Sequence, residues 1–340
     1  MPRNTTCSEP LLDNPSDMAL ITLEDFRDIY LKGMQRGMPF LLSKLSFSGK
    51  KRTKSSFNET NIRIDTWSMI PEVRKRWNRM ITGDENMTYE AYLSEKLIPA
   101  GQNIRMLSVG CGVCSHEIRL AQLNPHWTIT CIDFSEQLIQ EASQIASKEG
   151  LDNMRFVVED IHTYPLSENG FDLVFFNGSL HHFKNMEVFL QRFQQALSPG
   201  GWMVINEYVG ANRMQYPKHQ IEAINQGLAL VDKPYRKMFC SNLYKNKYYG
   251  SGRLRMIASD PSECVESANI LPSIHKLFSV KEEKGYGGNI LMPLLKDLSH
   301  HFLECDEQRE QLLHRLFDFE DQYLQTHPSD FLFGIYKKTN

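Results

Sequence analysis

Ile104-Arg105-Met106-Leu107-Ser108-Val109-Gly110-Cys111-Gly112-Val113-Cys114-Ser115-His116-Glu117 is the stretch whose reading decides the fold. Ile104 to Val109 reads as a buried strand: mostly apolar, with β-branched residues, running straight into glycines. Gly110-Cys111-Gly112 predicts a turn that needs positive φ and lets a ligand approach the backbone. From Ser115 the spacing turns helical, with Ile118 and Ala121 three apart and Leu120 and Leu123 likewise. Strand, glycine turn and helix together make a nucleotide site, because the helix N-terminus offers unpaired N–H groups.

The next segment of chain strengthens that reading. Trp127 to Ile132 is a second buried strand, and it ends at Asp133. A carboxylate at that tip, about 20 residues past the glycines, is placed to accept hydrogen bonds from a ribose. An adenine nucleoside is therefore expected. Ser115 stands where a dinucleotide fingerprint has its third glycine, and no Lys-Ser or Lys-Thr comes after it, so the stretch is not a phosphate-binding P-loop. It resembles the first motif of the class I S-adenosylmethionine-dependent methyltransferases, acidic-x-Gly-x-Gly-x-Gly, over Ser108 to Cys114. Ser108 replaces the acid and Cys114 the last glycine.

The rhythm downstream is strand, helix, strand, helix, which predicts a parallel sheet covered on both faces. Ser135–Ser147 reads as a helix capped by Ser135, Met154–Val158 as the third strand and Phe171–Phe176 as a central, almost wholly apolar fourth strand. Glu187–Leu197 reads as a helix. Its ending, Ser198-Pro199-Gly200-Gly201, is similar to the family's turn into the fifth strand, here Trp202–Val209. Ile274–Tyr286 looks like a strand, Leu291–Leu324 one long helix or two, and Phe331–Lys337 a last strand. The resemblance implies an α/β fold with a doubly wound, Rossmann-like, seven-stranded sheet, mostly parallel with an antiparallel last strand. It also implies the cofactor S-adenosyl-L-methionine, with S-adenosyl-L-homocysteine as product. The implied cofactor residues are Gly110, Cys111, Gly112, Asp133, Phe134, Asp160, Ile161 and Asn177, with Asp160 and Ile161 meeting the adenine. A turn cap is the competing account of Asp160.

Around this core the chain divides into residues 1–103, a helical cap; 104–210 and 274–340, the core; and 211–273, an insertion over the active site. In the cap, Leu23–Leu45, Ile64–Ile81 and Met87–Leu97 carry helical spacing. Trp67, Arg74, Arg76, Trp77 and Arg79 are its residues best able to reach a ring or a carboxylate, against the plainer account of core tryptophans and solvated arginines. Lys50, Lys51, Arg52 and Lys54 read as a solvated loop. The insertion holds an aromatic, basic patch that includes Tyr235, Arg236, Lys237, Tyr244, Lys245 and Tyr248.

The bulk properties narrow the function. The 340 residues are 41% hydrophobic and 23% charged, with 38 basic and 41 acidic side chains giving a net charge of −3. Nothing there suits a nucleic-acid partner. The start lacks the apolar core of a signal peptide, and no apolar stretch is long enough to span a membrane. Seven scattered cysteines fit reduced thiols in a cytoplasmic protein. Cys111-x-x-Cys114 lacks two further ligands at zinc spacing, so no metal is expected.

Methyl transfer from a sulfonium needs positioning, exclusion of water and, for a hydroxyl or ammonium acceptor, a base. His181 and His182, in the loop after the fourth strand, are the candidates. Adjacent residues of an extended loop point opposite ways, so one should face the acceptor and the other pack; the sequence does not choose between them. Glu207 and Tyr208 end the fifth strand, and Arg213, Gln215 and Tyr216 come next. Of these, Tyr208, Arg213 and Tyr216 are the expected acceptor contacts. Asn177-Gly178-Ser179-Leu180 is not the Asn/Asp-Pro-Pro-aromatic signature of amino methyltransferases acting on bases. A small organic acceptor, methylated on oxygen or nitrogen in a biosynthetic pathway, is the leading expectation. A nicotinamide oxidoreductase is one rival, but the chain's only Tyr-x-x-x-Lys, Tyr92–Lys96, precedes the cofactor turn. A non-catalytic binding subunit is the other, favoured by Ser108 and Cys114. Oligomeric state is not written in the sequence.

Overall fold

The computed structural model describes residues 19–43, 66–96 and 101–339. The run Lys50–Lys54 lies outside them.

Seven strands form one sheet. They are β1 (Arg105–Val109), β2 (Thr128–Asp133), β3 (Met154–Val158), β4 (Phe171–Asn177), β5 (Leu197–Tyr208), β6 (Phe278–Gly287) and β7 (Phe331–Lys338). Their order is β3-β2-β1-β4-β5-β7-β6. β1 to β5 pair in parallel, and β7 runs antiparallel between β5 and β6. The order reverses between β1 and β4, and a ligand crevice opens above such a switch point at the carboxyl ends of the strands.

The helices are α1 (Leu23–Ser43), α2 (Pro71–Thr82), α3 (Tyr89–Lys96), α4 (Ser115–Leu123), α5 (Glu136–Lys148), α6 (Met186–Ala196), α7 (Lys218–Ala229), α8 (Arg253–Ser259), α9 (Ile270–Leu277), α10 (Leu291–Leu295) and α11 (Glu307–Leu324). α5 is capped by Ser135 Oγ, which accepts from the N–H of Leu138.

The period of two along the strands sorts side chains onto two faces. Met106, Leu173, Phe175 and Val204 pack beneath one face, and Leu107, Val109, Val174, Phe176, Met203 and Ile205 beneath the other. A third cluster lies off the sheet and joins distant parts of the chain: Trp67, Ile70 and Val73 from before β1, Tyr216, Ile224 and Leu228 from between β5 and β6, and Leu291, Leu294 and Leu316 from beyond β6. Arg76 is buried there and pairs with Glu320 and Asp321. Glu320 Oε1 also accepts the N–H groups of Gly288, Ile290 and Leu291, satisfying the start of α10. Trp67 and Trp77 pack edge to face, their centroids 4.6 Å apart. Arg74 and Arg79 are exposed.

Two expectations need correction. Ile274–Tyr286 is not one strand: α9 occupies Ile270–Leu277 because Ile270, Ile274 and Leu277 share one buried helical stripe, and β6 begins at Phe278. β5 begins at Leu197, so Ser198-Pro199-Gly200-Gly201 runs within the strand, beside a register irregularity opposite Phe171–Leu173. Of the two forms expected for Leu291–Leu324, the structure takes the divided one: α10 ends at Leu295, Asp297 takes a positive φ of 65°, and Asp306 starts α11 afresh as its N-cap.

Candidate active site

Each edge of the crevice derives from a strand end. Gly110 and Gly112 take φ of +68° and +56°. A Cβ on Gly110 would lie 2.8 Å from Ser179 Cβ, so only glycine lets the β1 turn touch the loop after β4. A Cβ on Gly112 would meet nothing within 4 Å, and that side of the turn is open to a ligand. The Gly112 N–H donates to Asp133 Oδ2 at 3.0 Å, and the Ser135 N–H donates to Oδ1 at 2.8 Å. Two backbone donors thus fix the Asp133 carboxylate beside the turn. Burial raises its pKa, and those same N–H groups oppose the rise. Phe134, the next residue, is 41% exposed. Asp160 Oδ1 accepts the N–H of His162 at 3.0 Å in a local turn, and Ile161 is buried. Asn177 Oδ1 accepts from Tyr89 Oη at 3.0 Å and from Asn206 Nδ2 at 2.8 Å, while Tyr286 Oη donates to Asn206 Oδ1 at 2.7 Å.

Ser108 replaces the motif's acid, and its Oγ donates to Glu117 Oε1 at 2.6 Å. Glu117 is buried in the first turn of α4, and burial lifts its pKa to about 7. His116 Nδ1 meets Glu90 Oε1 at 2.7 Å. Sequence reasoning missed Tyr89, Glu117 and Tyr286. Only Glu117, one turn into the helix after the glycines, carried a local signal.

Cys111 and Cys114 gain a third neighbour in Cys131, with all three sulfurs within 4.8 Å of one another. S–H donation from Cys111 and Cys131 pulls the Cys114 thiol down to about 5. Cys114 holds φ +57° where the motif has glycine.

The second edge is built from β4 and β5. After Gly178 the chain makes a 3₁₀ turn, Leu180–His182. Glu207, buried near the end of β5, holds it: Oε1 accepts the N–H groups of Ser179 and Leu180, each at 2.6 Å, and Oε2 meets His181 Nδ1 at 2.8 Å. The expectation that the two histidines point opposite ways is corrected here. The segment is a turn rather than extended, and the rings lie side by side with centroids 4.2 Å apart. The chain at Asp260–Val265 closes over them, the Val265 N–H donating to the His181 carbonyl at 3.1 Å. His181 Nε2 lies 3.8 Å from Glu263 Oε1, and His182 Nδ1 lies 3.2 Å from Ser262 Oγ. Burial works against a proton on His181, but the carboxylates of Glu207, Glu263 and Asp260 outweigh it and hold the pKa up at about 9. Burial and the neighbouring His181 charge push His182 down.

The other expected contacts are drawn into supporting roles. Arg213 has φ +57° and spends its guanidinium on backbone: Nη1 donates to the Glu263 carbonyl at 2.9 Å and the Asp260 carbonyl at 3.4 Å, and Nη2 to the Pro261 carbonyl at 2.6 Å. Tyr208 is buried and donates to the Ala211 carbonyl at 3.1 Å. Tyr216 is 8% exposed, and its hydroxyl has no hydrogen-bond partner among the described residues. It lines a cavity of about 340 Å³ together with Met214, Tyr248, Met256, Asp260, Glu263 and Met292. Arg255 and Lys296 also face this cavity, paired to Asp25 and Asp28 on α1. One continuous path therefore leads from the glycine turn through Ser179, Glu207, His181 and Glu263 to the cavity.

Comparison with known proteins agrees with this geometry. A methyltransferase-domain family model matches residues 100–286, more than half of the chain. An uncharacterized methyltransferase of Mycobacterium tuberculosis is 30% identical over 124 residues, 36% of this chain and 59% of that protein. The 27-O-demethylrifamycin SV methyltransferase of Amycolatopsis mediterranei is 29% identical over 133 residues, 37% of this chain and 48% of that protein. The chain thus spans about half the length of these relatives. A solved S-adenosylmethionine-dependent methyltransferase from Aquifex aeolicus is similar over 44% of this chain and 76% of its own, at 20% identity and a TM-score of 0.34. With the seven-stranded order and the glycine turn, the family match places the chain among the class I S-adenosylmethionine-dependent methyltransferases.

Proposed function

We propose that the protein moves the methyl group of S-adenosylmethionine to an oxygen or nitrogen of a small organic acceptor in a biosynthetic pathway. The observation that carries this reading is the His181–Glu207 pair, at 2.8 Å, standing between the glycine turn and the Tyr216 cavity. The open side of Gly112 and the fixed Asp133 carboxylate fit an adenosine. Gly110, Cys111 and Gly112 would hold the cofactor through backbone, Asp133 its ribose, and Phe134, Asp160 and Ile161 its adenine, with Asn177 beneath. Glu117, joined to Ser108, supplies the acid missing from the motif. When bound, the cofactor supplies a methyl group on a sulfonium and departs as neutral S-adenosylhomocysteine.

The chain's own residues do the rest. Glu207 holds the Nδ1–H of His181 at 2.8 Å. With its pKa held at about 9, the imidazole serves as base in its minor unprotonated form, whose Nε2 takes the acceptor's proton as the acceptor's lone pair takes the methyl, so turnover rises with pH toward 9. His182 packs against His181. Tyr216 and Tyr248 flank the acceptor, Tyr208 supports the wall, and Arg213 positions Asp260–Glu263 from behind. Residues 211–273 serve as a lid, and the described parts of the N-terminal region, 19–43 and 66–96, as a cap. The free thiols suit the cytoplasm, and neither nucleic acid nor membrane is a partner in this reading.

The test is calorimetric titration with S-adenosylmethionine, S-adenosylhomocysteine and NAD, and then an acceptor panel scored by S-adenosylhomocysteine release. Binding of the two sulfur nucleosides and not NAD is the expected result; NAD binding alone would overturn it.

A further inference from the structure

Glu263 is the meeting point of both imidazoles. Its Oε2 lies 4.0 Å from His182 Nε2 and its Oε1 lies 3.8 Å from His181 Nε2. One ligand atom each from His182, Asp260 and Glu263 lies within 4.8 Å of the other two. Metal–ligand bonds of about 2.1 Å set neighbouring ligands roughly 3–3.5 Å apart, so small side-chain rotations would close this triad on an ion.

The hydrogen bonding prepares the imidazole for that role. Ser262 has one hydroxyl proton, and it goes to Asp260 Oδ1 at 2.7 Å. Ser262 Oγ therefore accepts at 3.2 Å from His182 Nδ1–H, which leaves the lone pair on Nε2, the side facing Glu263. A ligating histidine is ordinarily fixed through its other ring nitrogen in this way. The loop that carries the two carboxylates is itself fixed, because Arg213 ties down the carbonyls of Asp260, Pro261 and Glu263.

A separate feature points to a ligand in the adjoining cavity. Asp260 and Glu263 line the cavity into which Tyr216 is built, and the Tyr216 hydroxyl is buried there without a partner. A buried hydroxyl left so destabilises the fold unless a bound group satisfies it.

We propose that His182 Nε2, Asp260 and Glu263 bind a divalent transition-metal ion at the rim of this cavity. One nitrogen and two carboxylates suit Mn²⁺, Fe²⁺, Co²⁺ or Zn²⁺. Three protein ligands leave positions open toward the cavity, the pattern of a catalytic rather than a structural ion. There the ion takes the acceptor's oxygen or nitrogen as a further ligand and acidifies it, and the proton passes to His181 in its unprotonated form. That role rests on the methyl-transfer reading; the site itself does not.

The experiment is titration of the chelator-stripped full chain with Mn²⁺, monitoring loss of the free-ion electron paramagnetic resonance signal, with no nucleoside or acceptor present. Mn²⁺ is a hard ion that leaves the Cys111, Cys114 and Cys131 thiols alone. One tightly bound ion is expected, weakened at least tenfold in both H182Q and E263Q. Mn²⁺ should raise the thermal midpoint of the wild-type chain and not that of E263Q. S-adenosylhomocysteine affinity, measured alongside, should be the same in E263Q as in wild type. No Mn²⁺ binding at millimolar ion, or binding that survives in H182Q and E263Q, would overturn the site. Intact S-adenosylhomocysteine binding in that event would leave the methyl-transfer reading standing. Mn²⁺ binding without S-adenosylhomocysteine binding would uphold the metal site and overturn the methyl-transfer reading instead.

Discussion

Asp133→Asn isolates the acid on which the cofactor reading depends. In the wild-type chain both carboxylate oxygens are engaged from the protein side, Oδ2 by the Gly112 N–H at 3.0 Å and Oδ1 by the Ser135 N–H at 2.8 Å. Each oxygen retains lone pairs for a ribose hydroxyl. Asparagine keeps the shape but offers one acceptor where two stood and removes the charge. A hydrogen bond to a charged group contributes about 1.5–3 kcal/mol, so S-adenosylhomocysteine should bind roughly 10- to 150-fold more weakly. A cost to folding accompanies this, because the asparagine NH₂ meets one of the two backbone donors; about 1 kcal/mol is expected for that bond. Calorimetric titration of both proteins gives the first quantity and urea unfolding the second. A folded Asp133→Asn protein with wild-type affinity would refute the assignment of this acid to the ribose.

The remaining predictions concern proton and charge. Glu207→Gln keeps an oxygen for the N–H groups of Ser179 and Leu180 but removes the charge beside His181. Turnover should fall about 10²-fold or more with S-adenosylhomocysteine affinity little changed, as measured with any acceptor the panel identifies. Burial lifts the Asp330 carboxyl to about 7 from its ordinary 3.8. Its folded value lies above its unfolded one, so its stabilisation is complete below pH 3.8 and is lost as pH rises through 7. Asp330→Asn keeps an acceptor for Gln220 and should be more stable than wild type at pH 8, by at most about 4 kcal/mol, and level with it near pH 4; urea unfolding at both values checks this. Lys245 is buried against the carbonyls of Pro293 and Lys296, and burial lowers its ammonium to about 8. The unfolded chain therefore binds more protons between pH 8 and 10.5, and wild-type stability gains a rising contribution there that Lys245→Met lacks. The difference in denaturant midpoint between the two proteins should change across that window.

The half of the candidate site assigned to the nucleoside was legible because its elements are local. A buried strand, two glycines and a helix start lie within fourteen residues, and Asp133 closes the next strand. The five parallel strands announced themselves by apolar runs between turns. β6 was harder: the apolar residues at 270–277 fit a strand's end as well as a helix until α6 supplies the surface that Ile270 and Ile274 cover. The acceptor half was largely illegible. Asp260-Pro261-Ser262-Glu263 carries no local mark of a site, and its partner histidines stand some eighty residues earlier. Arg213 looked like a contact for an acidic ligand, because nothing local reveals three carbonyls nearly fifty residues away. The Lys245 of the basic patch is buried for the same kind of reason, since its acceptors come from α10 and the residues just after it.

This asymmetry has a physical cause. A nucleoside is held chiefly by backbone, and backbone geometry is set by glycines and strand ends that a short stretch of sequence specifies. An acceptor is held by side chains, and in the proposed reading these come from three separated parts of the chain. The cavity takes Tyr216, Tyr248 and Met256 from between β5 and β6, Met292 and Lys296 from beyond β6, and leans on α1 through Asp28, whose carboxylate pairs with both Arg255 and Lys296. Asp28 and Arg255 are buried while Lys296 is partly exposed, so removing Arg255 leaves the Asp28 charge buried with only Lys296 to offset it. The wall of the acceptor cavity and the docking of α1 are therefore one energetic unit. A change at Asp28, far in sequence from the glycine turn, should alter acceptor selection while leaving the nucleoside end intact, which local motifs alone would not anticipate.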